Sequence, residues 1–401
     1  MALYHVFLRE HNRLVGRLNQ TCNNTDCRNE ARTLLIAMFQ HIICNEYLPL
    51  LLGTNTSVKC LNTSTHTYNS TNLPMVSNSF AAAYKLVGAS MLRDTVGSNV
   101  LVHDVPLTSN TEMTNIVNGM LTNCSLKIGR EIPCAYRNNC QYSDIVSILT
   151  QDTRYLGLPP YFVWLALTVP IANLPTSIPD LPHHNTSMKI ALSNTHQSIF
   201  DIEFLTGALS ENVVPGAMVG PTLKRLFEDT FNLLQRNDRL YFENAGVFTD
   251  EQLAEIRNVT MAQLLCRNVE GLTEVKENAF VHNSSTVQCS SLPDIDFCKY
   301  CGVSRNWSAF VTVAVPCVRL QLKYRLCQST RPLACPCLGS PFEIIPCPSP
   351  NSLNILDPVM IMRSKILAQT MGNDTQSIAY YTMGNDYKLV DRMWEIFFML
   401  F

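Results

Sequence analysis

The crowding of cysteines in one stretch is the feature that most constrains the fold of this chain. The 401-residue sequence has 16 cysteines, and half of them lie between residues 289 and 347. This cluster comprises Cys289, Cys298, Cys301, Cys317, Cys327, Cys335, Cys337 and Cys347. Such a density is typical of small secreted modules held together by disulfides. The alternative is a zinc site, to which Cys298-x-x-Cys301 and Cys335-x-Cys337 would contribute thiolates.

A second feature, a set of eleven Asn-x-Ser/Thr sequons, also indicates an extracellular protein. The candidate glycosylation sites are Asn19, Asn23, Asn55, Asn62, Asn69, Asn123, Asn185, Asn258, Asn283, Asn306 and Asn373, and several lie in polar, loop-like sequence where glycans are tolerated. The first residues lack the apolar stretch of a signal peptide. We therefore expect a secreted protein whose signal peptide lies upstream of Met1, and an oxidising compartment favours disulfides over zinc.

Charge and hydropathy exclude several classes of protein. The chain is 46% hydrophobic and 15% charged, so it can bury a large core. Its formal net charge of −2 argues against binding nucleic acid or an anionic membrane, because both require dense Lys and Arg. No uninterrupted run of 18 apolar residues occurs, so the sequence predicts no transmembrane segment.

Helical periodicity dominates the first three quarters of the chain. It predicts helices over 5–20, 28–52, 79–93, 111–122, 141–151, 201–210, 219–235 and 250–266. Beyond residue 298, β-like segments begin at Thr312, Arg319 and Glu343 and are separated by Pro and Cys. We predict a mainly α domain over 1–297, a small disulfide-rich β module over 298–348, and an irregular, unassigned tail over 349–401.

Several ordered motifs in the α domain resemble those of the animal haem peroxidases. They are Phe7-Leu-Arg-Glu-His-Asn-Arg-Leu14, Asn45-Glu-Tyr-Leu-Pro-Leu-Leu-Leu-Gly53, Asn78-Ser-Phe-Ala-Ala-Ala-Tyr-Lys85, Gly157-Leu-Pro-Pro-Tyr161 and Phe242-Glu-Asn-Ala-Gly-Val-Phe-Thr249. The resemblance covers roughly residues 2–295 and implies a helical domain around a buried haem. The matching part lacks the N-terminal portion of the family domain.

The resemblance also implies a peroxide-cleaving site. In the family a proximal His binds the iron, and an Asn accepts a hydrogen bond from that His, which raises the basicity of the ligand. A distal His and a distal Arg split the O–O bond, because cleavage needs a base and a cation beside the developing charge. The resemblance implies that the distal pair belongs upstream of Met1.

At the haem-site positions that can be compared, this sequence differs from the family. The proximal-His position falls on Gly88, or on Ala89 with one inserted residue, and neither can bind iron. Lys85 replaces an Arg, Leu149 replaces the supporting Asn, and Asp152 replaces an Arg that contacts a haem carboxylate in the family. We therefore predict no catalytic, cofactor-binding or metal-binding residue in this chain, and no cofactor; haem is expected only if the protein is an active enzyme.

Other histidines are weak substitutes for the missing ligand. His183 and His184 lie beside Asp180 and could chelate a metal, but adjacent residues in a Pro-rich loop favour a surface loop instead. His103 follows the helix of the ligand position and is the only candidate near it in sequence. His11 and His41 belong to family motifs whose role is structural.

The cysteines at and beyond the end of the α domain carry two further resemblances. Cys266 and Cys289 match a disulfide pair of the family in position. The segment from Trp307 to Cys347 resembles a thrombospondin type 1 repeat, a module that stacks Trp and Arg side chains between strands and closes with disulfides. It departs from that repeat at Val313, where an earlier Cys is expected, and lacks its Gly-rich turn.

Three functions are consistent with these observations. The first is a secreted, glycosylated, peroxidase-like protein with lost or impaired haem chemistry, which contacts matrix proteins or glycans in an extracellular matrix such as a coat or biomineral. The second is an active haem peroxidase that uses hydrogen peroxide to oxidise or cross-link matrix substrates. The third is an adhesive or signalling protein in which the Cys-rich module is the binding element.

Overall fold

The computed structural model divides the described part of the chain into two units. The described residues are 2–22, 26–58, 60, 68–71, 73–96, 100–101, 109–133, 144–312, 320–329 and 334–346. The first unit contains residues 2–18 and 26–296, and the second contains 19–22 and 297–346. His66, His103, Val313, Cys317, Cys347, the tail over 349–401 and the sequons at Asn23, Asn62 and Asn373 lie outside the described residues.

The first unit is built mainly from helices, which confirms the predicted mainly α class. They are α1 (Ala2–Thr21), α2 (Cys27–Ile42), α3 (Leu48–Leu52), α4 (Asn78–Met91), α5 (Asn110–Thr122), α6 (Ile145–Tyr155), α7 (Tyr161–Trp164), α8 (Thr186–Thr195), α9 (Phe204–Leu209), α10 (Pro221–Asn237), α11 (Asp250–Ile256) and α12 (Met261–Asn268). Short 3-10 turns at Leu165–Leu167, Ile171–Asn173, Ile178–Asp180, Ile199–Asp201 and Cys289–Ser291 connect them. Helix α8 and the short α7 were not predicted.

The predicted helix over 28–52 contains a π-helical turn. Asp26 caps the start of α2 by accepting a hydrogen bond from the Asn29 amide at 3.3 Å. The π turn Ile43–Tyr47 then separates α2 from α3. The run ends at Gly53, whose φ of +81° favours glycine and whose missing Cβ would lie 3.1 Å from the Gly216 carbonyl oxygen.

The predicted single helix over 250–266 is two helices, α11 and α12. Thr249 and Thr260 each cap a helix with a capping box, in which the threonine hydroxyl and a glutamine side chain satisfy each other's backbone amides. The periodicity of apolar residues continues across both helices, so it hides the break. The second Thr-x-x-Gln pattern, at Thr260 and Gln263, is the signal that marks it.

Few strands occur in the first unit, and the second unit contains a small sheet. Two antiparallel pairs form in the first unit, β1 (Thr95–Val96) with β2 (Val100–Leu101) and β3 (Glu274–Lys276) with β4 (Thr286–Gln288). The second unit has the short helix α13 (Phe297–Tyr300) and a three-stranded antiparallel sheet, ordered β5 (Val311–Thr312), β6 (Leu320–Tyr324) and β7 (Phe342–Pro346). A β module after residue 298 was the expectation.

Five disulfides involve described cysteines. They are Cys22–Cys301, Cys44–Cys60, Cys266–Cys289, Cys298–Cys335 and Cys327–Cys337. The pairing of Cys266 with Cys289 is the one that the resemblance implies. All four cysteines of the alternative zinc site are oxidised in these bonds and offer no thiolate to a metal. In the described part of the chain, no group of three or more His, Cys, Asp or Glu side chains could hold a metal ion.

One helical run has the length and composition of a membrane span. It covers Cys27–Leu52 with a mean hydropathy of 1.4, although 61% of its apolar window is buried inside the protein. The search for an uninterrupted run of 18 apolar residues did not find this segment, because its apolar residues are interrupted by Gln40, His41, Asn45 and Glu46. A buried core helix passes the same test, so the run is weak evidence for a membrane contact.

A buried ion-pair network ties α1 to α12. The carboxylate of Glu10 has no solvent exposure and accepts two hydrogen bonds from Arg13, at 2.7 and 2.8 Å, and one from the Asn268 side chain at 2.7 Å. Arg13 and Arg267 both pair with Asp294, at 2.8 and 3.3 Å. These contacts give the Phe7–Leu14 motif a structural role.

Candidate functional site

Helix α4 carries the position that the resemblance assigns to the iron ligand. Ser77 caps the helix by accepting a hydrogen bond from the Phe80 amide at 3.2 Å. Most of the helix is buried, including both Gly88 and Ala89. At this position α4 therefore presents a hydrogen atom or a methyl group to the interior, and neither can coordinate a metal.

Neither of the two oxygen-bearing side chains of α4 that flank this position is free, since the Ser90 hydroxyl donates to the Val87 carbonyl oxygen at 2.8 Å and Tyr84 belongs to an aromatic cluster. Tyr84 lies one turn before Gly88 and stacks on Phe80, with ring centroids 5.1 Å apart, and it also contacts Phe227 and Phe231. Its hydroxyl donates a hydrogen bond to the Tyr47 hydroxyl at 3.2 Å. Burial raises the pKa of Tyr84 well above its ordinary value. The phenol consequently stays protonated and is a poor ligand for iron.

Helix α6 packs beside α4 and carries two further altered haem-site positions, Leu149 and Asp152. Leu149 is 1% exposed and supplies no acceptor for an imidazole. Asp152 forms an ion pair with Lys85 of α4, with Nζ and Oδ2 3.6 Å apart. The family has an Arg at the position of Lys85 and another at the position of Asp152. In this chain the two side chains have opposite charges, which neutralise each other across α4 and α6. Both side chains are about half exposed, so the pair contributes little stability.

The adjacent imidazoles of His183 and His184 are each engaged in local hydrogen bonds. His184 is buried and its Nε2 hydrogen-bonds the Gly207 carbonyl oxygen at 3.1 Å and the Ser210 hydroxyl at 3.0 Å. His183 hydrogen-bonds Thr168 at 2.9 Å, and Asp180 accepts a hydrogen bond from Ser177, so these three residues do not form a chelate. Desolvation lowers the pKa of His184 to about 4.

His41 has a structural environment, as the resemblance to the family implies. Its Nδ1 lies 2.9 Å from the Asn45 amide nitrogen, and its ring packs edge-on against Phe242. Burial lowers its pKa to about 4, so the imidazole is neutral at physiological pH. Asn45 and Phe242 belong to two of the resembling motifs, so His41 joins these two segments by a hydrogen bond and a ring contact.

The π turn presents a half-buried carboxyl group to α12. One oxygen of Glu46 accepts a hydrogen bond from the Met261 amide at 3.0 Å, and no described residue donates to the other oxygen. Desolvation raises the pKa of Glu46 to about 7. The carboxyl group that links the π turn to α12 is therefore neutral below about pH 7 and charged above it.

We expect Glu46→Gln to change how stability depends on pH. The folded state keeps a proton that the unfolded state releases between about pH 4.5 and 7, so the free energy of unfolding falls as pH rises through that window. Glutamine does not titrate, so the variant lacks this loss. Between pH 4.5 and pH 8 its free energy of unfolding should therefore rise by up to about 3 kcal/mol relative to that of the wild type. Urea unfolding of both proteins at the two pH values measures the gain.

His41 and His184 make the free energy of unfolding change with pH in the direction opposite to Glu46. Comparing the wild type with Glu46→Gln cancels this contribution. Their lowered pKa values make stability rise with pH over about 4 to 6.5, equally in both proteins. A Glu46→Gln difference that is the same at both pH values would show that this carboxyl group does not titrate in the window.

The residues around α4 do not fit a haem. The ligand position is Gly88 or Ala89, the position of its hydrogen-bond acceptor is the buried Leu149, and Lys85 is paired with Asp152. Haem iron needs an axial donor whose second ring nitrogen is hydrogen-bonded, and these described residues supply neither. The arrangement is that of a packed helix pair.

Sequence reasoning identified each altered position but missed two features that the structure adds. It did not pair Lys85 with Asp152, although opposite charges at two positions where the family has two cations were a visible signal. It also missed the Tyr47–Tyr84 contact, because those residues are 37 positions apart and neither motif indicates the other.

The second unit contains a stacked Trp–Arg pair. The guanidinium carbon of Arg325 lies 4.6 Å from the centroid of the Trp307 ring and 4.8 Å from that of Phe310. The stack is the kind of contact that the thrombospondin-like pattern implies.

Comparisons with known proteins agree on one family. The sequence model of the animal haem peroxidases matches residues 1–280. The chain is 28% identical to heme peroxidase 2 of Caenorhabditis elegans over 75% of its own length and 47% of that protein. It is 28% identical to human eosinophil peroxidase over 75% of its length and 46% of that protein, and 29% identical to chorion peroxidase of Drosophila melanogaster over 68% and 37%. The chain spans about half the length of these relatives or less.

Solved structures show the same fold. Peroxidase A of Dictyostelium discoideum superposes with a TM-score of 0.56 at 21% identity, over 68% of this chain and 55% of that one. A fatty acid alpha-dioxygenase of Arabidopsis thaliana gives a TM-score of 0.54 at 15% identity, over 73% of this chain and 56% of that one. The helical order, the ordered motifs and the match over residues 1–280 together establish that this chain belongs to the animal haem peroxidase family.

Proposed function

We propose that this chain is a secreted, glycosylated, peroxidase-like component of an extracellular matrix, such as a coat or biomineral matrix, in which haem chemistry is lost. One observation carries the proposal: the ligand position on α4 is Gly88 or Ala89, and Leu149 stands where the ligand's hydrogen-bond acceptor would be. Matrix proteins or glycans are the partners that this role requires.

The positions of the sequons support the extracellular setting. All eight sequon asparagines in the described residues, at 19, 55, 69, 123, 185, 258, 283 and 306, are exposed. The buried asparagines Asn237, Asn244 and Asn268 are not in sequons. Glycans require solvent-facing attachment, so the distribution is compatible with occupancy at each of these sites. The disulfides and the similarity to a protein named chorion peroxidase support the same setting.

Haem titration tests the loss of haem chemistry. The protein, expressed through the secretory pathway and purified, is mixed with an excess of haem and desalted. We expect no Soret band and no peroxide-dependent oxidation of a phenol, because the iron would find no axial donor on α4. Gly88→His and Ala89→His, each combined with Leu149→Asn, are the matched variants that return the donor and its acceptor.

The results separate the proposal from the active-enzyme alternative. A stoichiometric Soret band that survives desalting of the wild type, together with turnover, would overturn the proposal and support a matrix-oxidising peroxidase. A band that appears only in one of the two His variants would support it and would also fix which position aligns with the family ligand.

A further inference from the structure

We propose that an uncharged strip on the surface of the first unit, residues 155–179, is the interface through which two copies of this chain form a twofold dimer. In this dimer the strip of one copy runs antiparallel to the strip of the other. The inference is independent of haem binding, and only one of its tests relies on the glycosylation proposed above.

The uncharged strip has a composition that is unusual for exposed sequence. Its 25 residues include no Asp, Glu, Lys, Arg or His, although 15% of the whole chain is charged. Only four of the 25 are buried, namely Tyr161, Leu165, Pro175 and Ile178. The centres of protein interfaces are depleted of charged residues in the same way, and a standard interface uses about 20–30 residues on each side.

Three large apolar side chains lie on the outer side of the strip. Val163, Leu167 and Ile171 are 49%, 38% and 81% exposed. Val163 and Leu167 are four residues apart in the continuous helical segment 161–167, so they share a face, and Ile171 begins the next 3-10 turn. A contiguous group of exposed apolar side chains is typical of a surface that contacts another molecule.

The inner side of the strip is anchored, so its outer side chains are held in place before association. Tyr161 and Leu165 are fully buried. The Trp164 ring packs on Phe204 with centroids 4.6 Å apart, and its indole nitrogen donates to the Pro159 carbonyl oxygen at 3.0 Å. A surface that is already ordered loses little conformational entropy when a partner binds.

A neighbouring turn widens the apolar surface. Phe200 is 57% exposed and its ring packs against that of Phe162, with centroids 4.8 Å apart. The carboxylate of the next residue, Asp201, accepts a hydrogen bond from the Ser198 amide at 2.9 Å. The turn thus contributes an aromatic ring to the surface, while its one charged group is engaged within the turn itself.

The charges that flank the strip favour a second copy of this chain as the partner. Arg154 precedes the strip and Asp180 follows it, and both are exposed. Arg154 remains 61% exposed although it pairs with Glu203 of the same copy. In a twofold contact both copies use the same patch. An antiparallel arrangement would bring each Arg154 to the Asp180 of the other copy, so the flanking charges are complementary.

Sequons occur on both sides of the strip in sequence but not within it. No sequon lies between Asn123 and Asn185. The single asparagine of the strip, Asn173, is followed by Leu174 and Pro175, which do not complete a sequon. A segment without attachment sites stays open to a protein partner when the rest of the chain carries glycans.

Analytical ultracentrifugation of the purified full chain measures the equilibrium between monomer and dimer. We expect the wild type to form a reversible dimer. Ile171→Asp would bring two like charges into the contact and should weaken the dimer about a hundredfold or more. Leu240→Asp is the matched control, because it adds the same charge at a 60% exposed position that follows α10 and lies outside the strip. The control should leave the dimer unchanged.

A glycan placed in the strip gives a second test. Ala166 is exposed, and Ala166→Asn creates the sequon Asn-Leu-Thr, whose glycan should keep the copies apart and yield a monomer. Met120→Asn creates the same tripeptide on α5, outside the strip, and should leave the dimer intact. Mass spectrometry verifies that both sites are occupied. Unoccupied sites would count against the proposed glycosylation, and Ile171→Asp would still decide the dimer.

Exchanging the flanking charges tests the antiparallel arrangement. Arg154→Glu and Asp180→Arg should each weaken the dimer about tenfold or more, because each would place like charges together twice. An equimolar mixture of the two variants should recover the wild-type affinity, because the mixed dimer restores both pairs of opposite charges. A mixture that associates no better than either variant would overturn this arrangement.

Several results would overturn the dimer itself. A wild type that stays monomeric at the highest attainable concentration would do so, as would a dimer that Ile171→Asp leaves unchanged. Dimers that survive denaturing electrophoresis without reductant would be joined by a disulfide, for example through the exposed Cys124, and not by the strip. A monomer that binds phosphatidylcholine vesicles would assign the strip to a lipid surface. A dimer that binds haem would overturn the proposed function and leave this inference standing.

Discussion

Replacing Glu10 with glutamine is expected to lower the free energy of unfolding by about 3–5 kcal/mol. The carboxylate has no solvent exposure, and it compensates Arg13 directly and Arg267 at 3.9 Å. Removing it leaves two arginines to share the half-exposed Asp294, and one Arg267 nitrogen already has no hydrogen-bond partner among the described residues. Breaking one partner of a buried network costs more than the network contributes, because the remaining charge is uncompensated.

Urea unfolding of the purified protein measures this loss. The control is Asp229→Asn, which removes an ion pair with Arg225 on the exposed side of α10. Exposed pairs four residues apart contribute about 0.3–0.5 kcal/mol, so the control should change stability little. Similar small losses in both variants would show that Glu10 is not a central element of the core.

Gly207→Ala is expected to destabilise the first unit by about 3 kcal/mol or more, because the site has no room for a methyl group. An added Cβ would lie 2.1 Å from the Cγ atom of Tyr161 and 2.5 Å from a neighbouring ring carbon. Tyr161 cannot move away easily: it is fully buried and its hydroxyl donates to Glu211 at 2.6 Å. Thr222 also donates to that carboxylate, from its amide and its hydroxyl.

Gly16→Ala is the matched control for this prediction. Gly16 lies in α1 with nothing within 4 Å of the added Cβ, so alanine should stabilise the helix by about 0.5–1 kcal/mol. Thermal unfolding of the two variants should move the midpoint in opposite directions. A Gly207→Ala protein as stable as the wild type would mean that α7 and α9 are less closely packed than the structure indicates.

Periodicity predicted most helices of the first unit, because their apolar residues recur at helical spacing. Val6, Leu14 and Leu18 of α1 are fully buried, as their pattern requires. It could not predict that Glu10, on the same helix, is also buried, because its partners Asn268 and Arg267 are more than 250 residues away. Long-range partners of charged residues have no local signal in one sequence.

At the candidate site, the sequence alone predicts those properties that depend only on the chemistry of a residue, such as whether it can coordinate iron. Glycine or alanine at the ligand position excludes coordination without any coordinates. The pairing of Lys85 with Asp152 and the burial of Leu149 depend on how α4 and α6 pack, which periodicity does not specify. In the Cys-rich module, cysteine spacing indicated disulfides but left their connectivity open.

The π turn Ile43–Tyr47 has a consequence for how this region tolerates changes in length. Because a π turn accommodates one residue more than an α turn, removing the exposed Asn45 would convert the run Cys27–Leu52 into an uninterrupted α-helix. The π turn already absorbs this extra residue, so the residues after the deletion would keep their present orientation around the helix axis relative to those before it. Leu48, Leu51 and Leu52 would still face the interior, so this turn is a place where the chain should tolerate the loss of a single codon.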